Sequence, residues 1–98
     1  MGNVNQFEAD CLAFKIIEGD DKFTKIIQDK MVVSKFRGVC SMCKQTIQIG
    51  ELVRTSMYDF EGNTYYYRYC HECCKAMVAF WWDDGLLLEE RYELANKD

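Results

Sequence analysis

Apolar and polar positions alternate most regularly in the middle of the chain. "LVRTSMY" (residues 52–58) and "TYYYRY" (64–69) are rich in β-branched and aromatic side chains and are separated by "DFEGN". They predict two strands joined as a hairpin, with the turn at Gly62-Asn63, two residues that tolerate positive φ. The pleat places Tyr65, Tyr67 and Tyr69 on one side of the second strand and Tyr66 and Arg68 on the other. "MVVSKF", short and β-branched, predicts a strand leading into the first cysteine pair.

Past residue 70 the period changes. "HECCKAMVAFWW" lacks strand alternation, and its Ala, Met, Glu and Lys favour a helix with Cys74, Met77 or Val78, and Trp81 on one face. "DDG" interrupts it, with Gly85 suited to a helix stop, and "LLLEERYELANKD" resumes as a last helix. Leu87, Arg91 and Leu94 form one row of that helix; Leu88, Tyr92 and Ala95 lie beside it.

The first third is less regular. "QFEADCLAFKIIEG" spaces Phe7, Cys11, Phe14 and Ile17 as a helix stopped by Gly19, although "CLAFKII" also admits a strand. "DDKFTKIIQDK" predicts a second short helix capped by Asp20 or Asp21, with Phe23, Ile26 and Ile27 on one side.

Ninety-eight residues make a single domain, 1–98, that buries only about two thirds of its unfolded surface, so a metal site would add useful stability. Proline is absent and no linker or low-complexity run divides the chain. No apolar run reaches the roughly 18 residues of a membrane span, and the start lacks a secretory pattern. Gln6 stands where the myristoylation pattern needs Ser or Thr. A soluble, cytoplasmic protein without a membrane association is the expectation. Charge is segregated: residues 1–34 carry −2, residues 35–75 carry +2 and residues 76–98 carry −4.

Four of the six cysteines form two Cys-x-x-Cys pairs, giving Cys40-x2-Cys43-x26-Cys70-x2-Cys73. A two-residue gap lets a tight turn aim both sulfurs at one ion, and a 26-residue spacer is what a hairpin needs to return to its start. One structural zinc ion on these four residues follows, since a site filled by four thiolates has no open position for water. Cys74 is i+4 from Cys70 and rivals Cys73 as a ligand, but its alignment with Met77, Val78 and Trp81 points it into the core, as is expected of Cys11. His71 is expected to face outward, away from the metal. With no nucleophile–base pair and no phosphate loop, the chain does not read as an enzyme.

Over residues 36–82, "CSMCKQTIQIGE" and "YDFEGNTYYYRYCHEC" resemble treble-clef zinc proteins, most closely small ones encoded by bacteriophages. The resemblance implies an α+β fold with a Cys-x-x-Cys knuckle, a β-hairpin and a helix, flanked by an extension (1–35) and an acidic C-terminal helix (83–98). It also implies a phage context, and so a host cytoplasm.

Two surfaces are candidates for function. Trp81, Trp82 and Leu86, beside the acids Glu89, Glu90 and Glu93, would meet a protein partner, such as a host regulatory or nucleic-acid-processing protein that the contact modulates or inhibits. Alternatively Arg37, Lys44, Arg54, Tyr66 and Arg68 form an aromatic-basic surface for nucleic acid. A homo-oligomer is compatible with either surface.

Overall fold

The computed structural model describes residues 6–15 and 24–96. The elements run α1 (Gln6–Ala13), β1 (Thr24–Val33), β2 (Gly38–Val39), β3 (Thr46–Ile47), β4 (Leu52–Phe60), β5 (Asn63–Tyr69), α2 (His71–Asp83) and α3 (Leu86–Ala95). β1, β4 and β5 form an antiparallel sheet with β4 in the centre, while β2 and β3 pair separately. The fold is α+β.

The central hairpin forms as its alternation predicts, but the turn lies one residue earlier. Phe60 pairs with Asn63, so Glu61 and Gly62 make the turn, with φ of 50° and 85°. Two successive positive φ values match the right-handed twist of the flanking strands. The tyrosines then pack along one side: Tyr58 stacks on Tyr65 (5.2 Å between centroids) and on Tyr67 (5.9 Å), and Tyr67 on Tyr69 (6.4 Å).

The helix expected over residues 20–30 is replaced by a strand where it can be described. Thr24–Val33 pairs with β4 from Thr24↔Phe60 to Val33↔Leu52, with a bulge between Ile26 and Gln28. Thr24, Ile26, Ile27, Val32 and Val33 are β-branched, and the open edge of β4 supplies the ladder that favours them. Ile26 and Ile27 remain 45% and 47% exposed, so they mark no helix face packed on a core. Residues 20–23, with Ile17 and Gly19, lie outside the described residues.

Register divides the sheet into two faces. Met31, Arg54 and Tyr69 share one row, and Asp29, Ser56 and Tyr67 the next. α1 and α2 cover this face, where Cys11, Cys74 and Met77 are buried. The opposite face carries the rows Lys30–Thr55–Arg68 and Gln28–Met57–Tyr66. At the corner between α2 and α3, Asp84 and Gly85 both take positive φ (56° and 88°). Asp83 caps the new helix there, accepting from Gly85 N at 2.8 Å and Leu87 N at 3.2 Å. No helix among the described residues is long and apolar enough to cross a membrane.

Candidate metal centre

The short β2–β3 pair closes a tight turn around residues 40–45. Cys40 N donates to Gln45 O (2.9 Å), Lys44 N donates to Cys40 O (3.1 Å), and Lys44 adopts a φ of 66° to complete the turn. This turn is stitched to the end of β5: Ser41 N donates to Arg68 O (2.7 Å), and Arg68 N donates back to Ser41 Oγ (3.1 Å). Cys70, two residues on, is the N-cap of α2, and Cys73 follows in its first turn. Both Cys-x-x-Cys pairs thus face one point.

The sulfurs of Cys40, Cys43, Cys70 and Cys73 all lie within 4.8 Å of one another and all four residues are buried. Cys40 to Cys73 and Cys43 to Cys70 each measure 3.6 Å. A tetrahedral ion with metal–sulfur bonds of about 2.3 Å requires edges of about 3.8 Å, so the cluster fits a metal ion such as zinc. All six cysteines are free thiols rather than disulfides.

Electrostatics of the cluster favour a cation. Cys40 is held far below the ordinary thiol range, first by hydrogen bonding from the Cys70 thiol, then by that from Cys73, helped by the backbone NH groups of Cys43 and Cys70. Those NH groups lie 3.4 Å and 3.3 Å from its sulfur, with Met42 N at 3.3 Å. The same thiol–thiolate bonds to Cys40 push Cys70 up to about 12 and Cys73 higher still. Four buried thiols this close cannot all ionise unaided, and holding them all as thiolates needs a positive charge at their centre.

Nothing in the known family models, the curated proteins or the solved structures matches this chain. The assignment therefore stands on geometry.

Two residues outside the cysteine pattern complete the centre. Arg91 of α3 points its Nη2 at Cys43 Sγ (3.3 Å) and, more distantly, Cys70 Sγ (3.9 Å). Its Nε is buried with no hydrogen-bond partner among the described residues. A base embedded in the Leu87/Leu94 row was its only sign in the sequence. Glu51 spans the start of α2: its carboxylate accepts from His71 N (2.7 Å) and from Gln48 N (2.9 Å). α2 has no side-chain cap of its own at Cys70, so Glu51 satisfies one of the first-turn NH groups from another element. Its visible sign was the Gly50-Glu51 pair, where Gly50 takes a φ of 89°.

Cys74 is core, as expected: it is fully buried and its Sγ lies 3.6 Å from Tyr69 O. Cys11 is buried beside it, with Sγ 3.7 Å from Met77 Sδ. His71 departs from expectation. It is half-buried, with Nδ1 3.1 Å from Leu52 O and its ring 5.3 Å from Phe7, because the helix start lies against β4 rather than open to solvent.

The two candidate surfaces fare differently. Trp81, Trp82 and Leu86 are 54%, 69% and 59% exposed around the α2–α3 corner, and Glu89, Glu90 and Glu93 are exposed along α3. The basic set does not form one surface. Arg54 is 1% exposed on the helix-covered face, donating to both carboxylate oxygens of Asp29 (2.8 and 2.6 Å) and to Cys11 O (2.7 Å). Strand alternation puts it in register with Tyr69, so it cannot share a face with Tyr66 and Arg68. Lys44 lies in the cysteine turn with Nζ 3.2 Å from Ser41 O, and Arg37 is exposed before β2.

Proposed function

We propose that this is a zinc-stabilised binding protein that recognises another protein through the α2–α3 corner. The observation that carries the reading is the exposure of Trp82, Leu86 and Trp81 together, joined by Leu87 at 40%. Small proteins rarely leave large apolar side chains contiguous on their surface without a partner, and tryptophan anchors dominate many interfaces. Acids border the corner: Asp83 and Asp84 in the turn, and Glu89, Glu90 and Glu93 along α3. The partner this suits has an apolar pocket rimmed by basic residues.

Zinc in this reading is structural. Four cysteine ligands fill a tetrahedral shell and leave no position for a substrate or an activated water, which supports a non-enzymatic role. The order of cysteine turn, hairpin and helix is that of treble-clef proteins, and the phage context rests on the sequence resemblance alone. On that likeness the protein acts in a host cytoplasm as an accessory factor, and its target is a host regulatory or nucleic-acid-processing protein whose basic surface the acidic helix engages.

The test is capture from host lysate by the zinc-loaded chain, compared with Trp82→Ser and Leu86→Ser. Both variants should keep one metal and the wild-type circular dichroism spectrum while losing a specific captured protein. Capture unchanged by either substitution sinks the proposal. So does sedimentation showing that Trp82→Ser merely converts a dimer into a monomer, since the corner would then be a self-interface.

A further inference from the structure

The sheet face turned away from α1 and α2 holds a groove of about 260 Å³. Tyr66 (50% exposed) and Phe36 (64% exposed) line it, together with Lys30, Lys35, Arg68 and Gln28. We propose that this groove binds single-stranded nucleic acid, with Tyr66 and Phe36 stacking on bases while Lys30, Lys35 and Arg68 hold phosphates.

Register builds the site. Lys30, Thr55 and Arg68 form one cross-strand row, and Gln28, Met57 and Tyr66 form the next on the same face. A row holding two cations therefore runs beside one that ends in Tyr66. Ser34 to Gly38 folds back over the end of this face and brings Phe36 to it: the Arg68 guanidinium lies 4.8 Å from the Phe36 ring centroid, and its Nη2 bonds Ser34 Oγ at 2.5 Å. Arg68 is half-buried and makes no ion pair among the described residues. A guanidinium held in place without a carboxylate partner is a ready phosphate donor, and its stacking on Phe36 leaves most of that ring for a base.

Among the described residues no acid lines the groove. Asp59 shares the face at the hairpin end, outside the groove lining, and accepts from Thr64 Oγ1 at 2.6 Å. Glu61 lies in the turn beyond it. The acids that make the chain −4 overall include Asp83, Asp84 and the exposed glutamates of α3, at the far end of the sequence from these strands. The groove is smaller than the roughly 300–1,000 Å³ usual for a whole small-molecule ligand, which suits one unit of a longer chain. Flat rings stack only on bases whose faces are free, so a single strand fits and a duplex does not. This site is separate from the α2–α3 corner and stands or falls independently of it.

Fluorescence anisotropy with the full zinc-loaded chain tests this, using labelled mixed-sequence 12-mers of single-stranded DNA, single-stranded RNA and duplex DNA. Either single strand should bind, with log Kd rising against log salt at a slope of roughly 2, since each phosphate contact in a single strand contributes about 0.7. Tyr66→Ala should weaken binding about five- to 150-fold with the slope unchanged, as expected for loss of one stacked base. Lys30→Ala should lower the slope by about 0.7. Both side chains reach the surface, so metal content and circular dichroism should be those of wild type. Undetectable single-strand binding, equal affinity for duplex, or affinities unmoved by both substitutions would each overturn the proposal. Heparin, a polyanion without bases, should compete only weakly; equal competition by heparin overturns the stacking role.

Discussion

Arg91 Nη2 sits 3.3 Å from Cys43 Sγ, which ties the last helix of the chain to the cysteine cluster. α3 also packs on α2, and its Tyr92 lines a cleft with Ser41 and Met42 of the cysteine turn. The guanidinium also places positive charge against a site that carries two excess negative charges when four thiolates hold a divalent ion. Arg91→Gln should therefore lower metal affinity about tenfold to a hundredfold, the usual effect of removing a partner of the ligands, with the cysteines still able to bind. Competition with a chromogenic chelator measures it. Affinity equal to wild type would mean that the contact contributes nothing to the centre.

Ligand choice within "CHECC" gives a second expectation. Cys73 joins the four-sulfur cluster, whereas Cys74 points under the sheet toward Tyr69 O. Cys73→Ala should abolish stoichiometric metal binding and unfold the centre, because much of the folding free energy of such a unit is metal-binding free energy. Cys74→Ala should keep one metal per chain and cost about 1–3 kcal/mol from the small void it leaves. Elemental analysis and thermal melts separate the two, and the opposite ranking would exchange their roles.

The cysteine cluster was legible in the sequence because its geometry is mostly local. Two residues between ligands, a hairpin-length spacer and a helix start are all properties of short segments. Arg91 and Glu51 act across the fold, 48 residues from Cys43 and 20 residues from His71, and no local pattern reports such distances. The strand at residues 24–30, where the spacing predicts a helix, has the same origin, whereas Met31–Val33 is the strand that "MVVSKF" predicts. The apolar residues of 24–30 satisfy a helical spacing, and only the free edge of β4 selects the strand. Arg54 looked like a surface cation because burying an arginine requires a partner that sequence cannot supply, here Asp29 from a strand that was itself read as helix.

Glu51 predicts a capping effect without a cap residue. Its carboxylate accepts from His71 N at 2.7 Å at the start of α2, where Cys70 provides no side-chain bond. Removing it exposes a helix NH that nothing else satisfies and withdraws negative charge from the positive end of the helix. Glu51→Ala should destabilise the protein by about 0.5–2 kcal/mol, in the range of ordinary N-cap losses. Glu51→Gln should recover part of this, since its amide oxygen still accepts. Urea melts of the zinc-loaded protein give the comparison; equal stability of Glu51→Ala and wild type would show that water replaces the carboxylate freely.

Arg54 and Asp29 yield the sharpest asymmetry. Arg54 is almost wholly buried, while the Asp29 side chain keeps 29% of its surface in water. Ser56 Oγ also donates to Asp29 Oδ1 at 2.9 Å, so the carboxylate organises two neighbours on the covered face. Asp29→Ala leaves a guanidinium enclosed beneath α1 and α2, facing Cys11 and the Met77 sulfur but no carboxylate among the described residues. That unpaired charge should cost about 3–5 kcal/mol. Arg54→Met removes the charge itself, keeps a long apolar stem against Met77, and leaves Asp29 free to hydrate through its exposed side. It should therefore cost less than Asp29→Ala, and the double variant Asp29→Ala/Arg54→Met should recover stability relative to Asp29→Ala alone. A double-mutant cycle by denaturant unfolding decides the matter. If Asp29→Ala proves the mildest of the three, Arg54 must reach solvent or another acceptor, and the buried ion pair is not what holds β1 to the helices.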